Sequence, residues 1–173
     1  EIIIFNDPNY PKLFRELTDA PPLITVKGDL DFLNRNALAI VGSRNASSNG
    51  ISFTKEMAIE LGQHSIVTVS GMARGIDAAV HQSCLLSGTV GIIAGGINHI
   101  YPIENQKLYE SVAATGLLVS ESPFDSTPQR STFVQRNRLI SGLSLGVVVV
   151  EAGLKSGSLT TARFAAEQGR DVF

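Results

Sequence analysis

Glycines and small hydroxyl residues recur in this chain directly after short apolar runs, often with an arginine beside them. The sets are Gly42-Ser43-Arg44, Ser70-Gly71-Met72-Ala73-Arg74-Gly75-Ile76-Asp77, Ala94-Gly95-Gly96, Ser120-Glu121-Ser122 and Glu151-Ala152-Gly153. A glycine lets a ligand come close to main-chain N–H groups, and N–H groups at a helix start hold anions. One such turn belongs to any strand-to-helix connection, whereas five in one chain point to a rim that seats anions. The stretch from Gln129 to Arg163 adds charge to that rim. It carries Arg130, Arg136, Arg138, Lys155 and Arg163 against one acid, Glu151, inside a chain of net charge −2. A solvated charge cluster is the plain alternative; it loses ground because the arginines directly precede the fifth apolar run.

Within Phe133-Val134-Gln135-Arg136-Asn137-Arg138-Leu139-Ile140-Ser141-Gly142-Leu143-Ser144, the arginines stand two apart. Side chains at that spacing point in different directions from a helix start, so the spacing predicts one arginine bracing the scaffold and the other facing a ligand. Phe133 is a core residue by default, but an aromatic ring beside arginines is also how single strands are stacked. Lys155-Ser156-Gly157-Ser158 opens the last helical pattern, where unpaired N–H groups and a partial positive charge gather. Ser158 as a simple N-cap is the structural alternative, and the two roles are compatible. Arg44 is either ion-paired to Asp77 or Glu151, or presented to phosphate, and the second reading is favoured. The candidate phosphate-holding residues are Gly42, Ser43, Arg44, Gly71, Ala73, Arg74, Gly75, Gly95, Phe133, Arg136, Asn137, Arg138, Lys155, Ser156, Gly157 and Ser158.

Other chemistries find little footing. A dinucleotide site needs G-x-G-x-x-G after the first strand and an acidic residue ending the second; here these places read Gly42-Ser43-Arg44-Asn45-Ala46-Ser47 and Ser70-Gly71. In Gly153-Leu154-Lys155-Ser156-Gly157-Ser158 the lysine precedes the second glycine, which argues against an Mg–triphosphate loop. His64, His81 and His99 fall in separate elements without metal-ligand spacing, so no metal or other cofactor is expected and each reads as a surface or packing residue. There is no G-x-S-x-G elbow. The lone Cys84 lies in a helical pattern facing a core, which makes it a structural thiol in a reducing compartment. No apolar run approaches the ~18 residues that cross a membrane.

The elements that must position these residues follow from periodicity. Apolar runs at Ala37–Val41, Ile66–Val69, Val90–Ala94, Leu117–Val119 and Val147–Val150, with a sixth at Arg170–Phe173, lack strict alternation, as strands buried on both faces do. Helical patterns span Ser52–Gly62, Ile76–Leu86, Glu104–Ala114 and Leu159–Glu167; in the first, Phe53, Met57, Ile59 and Leu61 form the apolar stripe. The alternation predicts an α/β fold: a doubly wound, mostly parallel, extended Rossmann-like sheet over residues 37–173, with ligands at the carboxyl ends of its strands. Residues 1–36 hold four of the seven prolines and read as an irregular lead-in that packs on the core. The length of 173 residues suits one domain. The chain begins without Met and stops inside an apolar strand pattern, so it is expected to be a fragment truncated at its C-terminus.

Taken in order, Ala39-Ile40-Val41-Gly42-Ser43-Arg44, Ser70 to Asp77, Ile100-Tyr101-Pro102-Ile103-Glu104-Asn105, Arg136 to Ser144, and Glu151-Ala152-Gly153 through Ser156-Gly157-Ser158-Leu159-Thr160-Thr161-Ala162 resemble the DNA-processing A (DprA/Smf) family of recombination mediators. The likeness runs from about Tyr10 to Phe173. It implies a cytoplasmic homodimer, not an enzyme, that binds single-stranded DNA and hands it to the RecA recombinase during natural transformation. It also implies a DNA pocket using Gly42, Ser43, Arg44, Arg136, Arg138, Lys155, Ser156, Gly157 and Ser158. Ser122-Pro123-Phe124-Asp125 and Val134 depart from the family pattern. The rival is a nucleotide 5′-monophosphate phosphoribohydrolase, which the fold also resembles. Its catalytic glutamate would fall on Thr161, and Glu151 and Glu121 are expected to pair with arginines instead.

Overall fold

A computed structural model describes residues 1–173. In chain order the elements are β1 (Ile2–Ile4), α1 (Lys12–Arg15), β2 (Leu23–Gly28), β3 (Ala37–Gly42), α2 (Ser48–Gln63), β4 (Val67–Ser70), α3 (Ile76–Ser83), β5 (Thr89–Ile92), α4 (Gln106–Thr115), β6 (Leu117–Ser120), α5 (Arg130–Gly142), β7 (Gly146–Val150), α6 (Gly157–Glu167) and β8 (Asp171–Val172). Every expected strand is present to within a residue or two. All four residues of β4, β5 and β6 are buried, the two-sided burial that their unbroken apolar runs imply.

The eight strands lie in the order β1-β2-β6-β5-β4-β3-β7-β8. From β3 the chain winds outward through β4 and β5 to β6, each pair parallel. It then crosses back along α5 to set β7 on the opposite side of β3. Strand order therefore reverses between β3 and β7, and a crevice opens there at their carboxyl ends.

The lead-in is not irregular. β1 and β2 extend the sheet antiparallel beyond β6, with Val26 opposite Val119. Tyr10, Phe14, Ile24 and Leu33 join the largest core cluster, and each such burial contributes roughly 1.5–3 kcal/mol. The prolines suggest loop because they mark the turns; the pairing with β6 spans about ninety residues of sequence and leaves no local signature.

Two helices also differ from their sequence patterns. α5 carries mostly polar residues and shows little apolar periodicity, so its helical state follows from packing on α6 and the sheet. α2 begins four residues earlier than expected, because Ser47 accepts a hydrogen bond from the Gly50 N–H at 3.1 Å and caps it. Its buried face is Gly50, Thr54 and Ala58, not the stripe through Phe53 and Ile59, which stay about half exposed. Spaced four apart, these small residues let the helix lie close on the sheet, with Met57 and Leu61 at the flanks. Cys84 is buried, its Sγ 3.2 Å from the carbonyl of Ala58, as a structural thiol would be.

Candidate functional site

At the switch point a cleft of about 370 Å³ is walled by Gly42 and Arg44 from the end of β3, Phe133, Arg136 and Asn137 from α5, and the first turn of α6. Arg44 is exposed and makes no ion pair, so the pairing to Asp77 or Glu151 left open by the sequence is not made. Its guanidinium carbon lies 5.8 Å from the ring centre of Phe133. Phe133 in turn meets Tyr101 at 5.4 Å between centroids, tilted by 59°. Beyond this ladder a second hollow, about 430 Å³, shares Arg44, Ala73 and Phe133 with the cleft and holds Arg74 and Tyr101. Tyr101, which is about half exposed, is a wall residue that periodicity and charge did not single out. The signal that reaches it is the Ile100-Tyr101-Pro102 run that carries the family resemblance.

The opposite wall is the start of α6. Its N-cap is Ser156, not Ser158: the Ser156 Oγ accepts from the Ser158 N–H at 3.3 Å and lies 2.6 Å from the Ser158 Oγ. Hydroxyls and a helix amino terminus thus meet at one lip, where negative charge is stabilised. Asn137 steadies this lip by donating from Nδ2 to the Gly157 carbonyl at 3.1 Å. Lys155 sits on the exposed loop that leads into α6, beside the cleft and not in its wall.

Arg136 has a different task from Arg44. It is only 5% exposed, and its Nη1 donates to the carbonyls of Gly71 and Ile92 at the ends of β4 and β5. Asp77, also buried, accepts the N–H groups of Gly71 at 3.2 Å and Ala73 at 3.3 Å. Burial pushes the Asp77 carboxyl pKa up, and the Arg136 charge pulls it back down. Gly71 allows the approach, since a Cβ there would lie 2.3 Å from the Arg136 Nη1. The Gly71 and Ala73 amides of this turn are therefore held inward by the chain's own carboxylate. Gly75 has φ of 74° and packs on the carbonyls of Ser43 and Arg44, so both its conformation and its closeness need glycine. Below the turn, His81 is a packing residue: its Nδ1 lies 2.8 Å from the Thr89 Oγ1, and burial lowers its pKa to about 3.

Two expected rim residues are elsewhere. Two positions along α5 from Arg136 is more than half a helical turn, so Arg138 faces the lead-in. There it pairs with Asp19 at 3.1 Å and with Glu121, the partner expected for that glutamate. Gly95 is buried under the loop of residues 123–128, where a Cβ would come within 2.9 Å of the Ser126 carbonyl. Its glycine serves close packing. The expected arginine partner of Glu151 is also absent: this carboxylate accepts from the Ser47 N–H at 2.7 Å and from the Ser47 hydroxyl. Those bonds hold its pKa below the ordinary glutamate value.

The family model for DNA recombination-mediator protein A matches residues 1–173. The chain is 42% identical over 167 residues to DNA processing protein DprA of Bacillus subtilis, covering 95% of this chain and 56% of that protein. It is 43% identical over 167 residues to Protein Smf of Escherichia coli, covering 95% and 45%. It thus spans about half the length of the curated relatives it matches. The solved structure of DNA processing protein A from Streptococcus pneumoniae has a TM-score of 0.95 at 38% identity, over 100% of this chain and 62% of that one. DNA processing protein A from Helicobacter pylori, a protein with a single-stranded DNA binding mode, has a TM-score of 0.93 at 33% identity, over 100% and 80%. A molybdenum cofactor binding protein from Rippkaea orientalis, at 15% identity and a TM-score of 0.58 over 81% of this chain and 76% of that one, shares the fold alone.

Proposed function

Because the chain belongs to the DNA recombination-mediator protein A family, we propose that it seats the phosphate backbone of single-stranded DNA in the cleft between the ends of β3 and β7 and does not cut it. The observation that carries this reading is the pairing across the cleft. An exposed arginine free of carboxylates, Arg44, rests on an aromatic ring and faces the hydroxyl-lined start of α6. The arginine and the helix start supply charge and donors for phosphate, and Phe133 with Tyr101 supplies faces for bases. None of these groups reads a base edge in a sequence-specific way, so little sequence preference follows. The single-stranded DNA binding mode of the Helicobacter pylori relative supports the same ligand class.

In this reading the chain is the DNA-holding core of a cytoplasmic recombination mediator. It protects incoming single strands and passes them to the RecA recombinase during natural transformation, working as a homodimer. No helix is long and apolar enough to cross a membrane. The nucleotide-hydrolase reading is the weaker one. Thr161, where a catalytic glutamate would stand, is buried in α6, and Asp77, the carboxylate in the cleft wall, is engaged by two amides. Released base from nucleoside monophosphates incubated with the protein would reverse that preference.

Fluorescence anisotropy with labelled single- and double-stranded oligonucleotides across a salt series tests the main reading. Single strands should bind more tightly, with a log–log salt slope of about −0.7 per phosphate neutralised. An affinity indifferent to salt, or no binding of oligo-dT, would remove the proposal.

A further inference from the structure

Three amino-terminal anion seats border the switch point, and two are already filled by carboxylates of the chain itself. The turn before α3 holds Asp77, which takes the Gly71 and Ala73 amides. The first turn of α2 holds Glu151. One carboxylate oxygen accepts the Ser47 N–H at 2.7 Å, the other is bonded to the Ser47 hydroxyl, and a Cβ at Gly50 would lie 2.6 Å from the carboxyl carbon. Glu151 thus lies flat against the helix start, carried there from the end of β7 by a backbone with φ of 53°, a conformation unusual for a glutamate. The start of α6, capped by the Ser156 hydroxyl, opens to the cleft with no carboxylate bonded to it.

The filled seat on α2 has a particular meaning in a doubly wound sheet. A dinucleotide or nucleoside diphosphate rests its pyrophosphate on the helix that follows the first parallel strand, which here is α2 after β3. A phosphate arriving there would meet a carboxylate already bonded to the N–H and hydroxyl of the cap residue Ser47, and like charges so close repel. We propose that Glu151 is a specificity-determining residue: its carboxylate closes the start of α2 to phosphate, so free nucleotides are refused while a polynucleotide backbone is still taken by Arg44 and the start of α6. Both ligands offer the same phosphate oxygens, so attraction alone does not separate them, and the discrimination comes from a built-in repulsion. The inference rests on the DNA-binding reading above for its second ligand, and its test separates the two.

The experiment titrates ADP and inorganic pyrophosphate calorimetrically into the parent, Glu151→Gln and Glu151→Ala, and measures oligo-dT affinity of all three by anisotropy. Glu151→Gln keeps the shape and one acceptor for Ser47 while removing the charge; thermal melting of each variant reports whether α2 and the fold persist. The parent should bind neither ADP nor pyrophosphate at millimolar concentration. Both variants should gain ADP binding by about tenfold or more over the parent, retain oligo-dT affinity at least equal to the parent's, and show oligo-dT displaced by ADP. Folded variants that refuse ADP as the parent does would overturn the assignment of Glu151 and leave DNA binding untouched. ADP binding by the parent would overturn it equally. Failure of all three proteins to bind oligo-dT would remove the DNA reading, and the discrimination with it.

Discussion

Two strand-end turns of similar composition have opposite roles in this molecule. Gly42-Ser43-Arg44 at the end of β3 and Ser70-Gly71-Met72-Ala73-Arg74-Gly75 at the end of β4 both combine glycine, serine and arginine. The first opens to solvent at the switch point, with Arg44 unpaired over Phe133. The second is tied inward: Arg136 holds its Gly71 carbonyl and Asp77 holds its Gly71 and Ala73 amides. The same residue types are left open to solvent where the strand order reverses and are tied into the architecture one strand further along. An anion seat is thus defined as much by which charges have already claimed its amides as by the glycines that expose them.

That contrast can be broken most forcefully at Arg136. Arg136→Ala leaves Asp77 buried without its counter-charge and strips two strand-end carbonyls of a donor, so the fold should lose about 3–5 kcal/mol in denaturant unfolding. A loss below 1 kcal/mol, with DNA binding abolished, would instead make Arg136 a ligand contact. Arg44→Ala should do the reverse: stability unchanged within about 0.5 kcal/mol, oligo-dT affinity lowered about tenfold for all sequences alike, and the salt slope reduced by about 0.7. If this variant binds as the parent does at every salt concentration, the cleft is not the phosphate seat.

Arg138→Ala sharpens the comparison from the far side of α5. Its ion pairs to Asp19 and Glu121 lie away from the cleft and are partly screened, so removal should cost about 1 kcal/mol of stability and leave oligo-dT affinity and its slope unchanged. A parallel loss of DNA affinity would bring Arg138 back to the rim. The smallest effect concerns Glu151. Hydrogen bonds from Ser47 depress its pKa in the folded state, so the unfolded chain binds more protons in the acid range. The stabilisation is present above the ordinary value of 4.5 and is lost as pH falls from there through the folded-state pKa. Melting temperatures of Glu151→Gln should therefore change less than the parent's across that interval, and identical pH profiles would contradict the contact.

Much of the architecture is legible in the sequence. Apolar runs without alternation mark strands buried on both faces, and β4, β5 and β6 are that. The antiparallel pair β1 and β2 was not legible, because its partner, β6, is remote in sequence and the prolines around it read as loop. Nor was the extent of α5: a helix start is read at its arginines, but its polar residues carry no clear period to bound it. At the site, the glycine-rich turns and the start of α6 could be picked from composition. The fate of each arginine could not: the spacing of Arg136 and Arg138 dictates different directions, but not that one enters the sheet and the other meets Asp19.

The sequence by itself determined the element types, the register of glycines at strand ends and the local excess of positive charge, because these depend on periodicity and composition within a few residues. Tertiary structure alone decided which of those glycine turns line an open cleft. That depends on carboxylates and carbonyls brought from remote segments, Glu151 to Ser47 and Arg136 to Gly71, and a charge buried in a low-dielectric interior must find such partners wherever the fold supplies them.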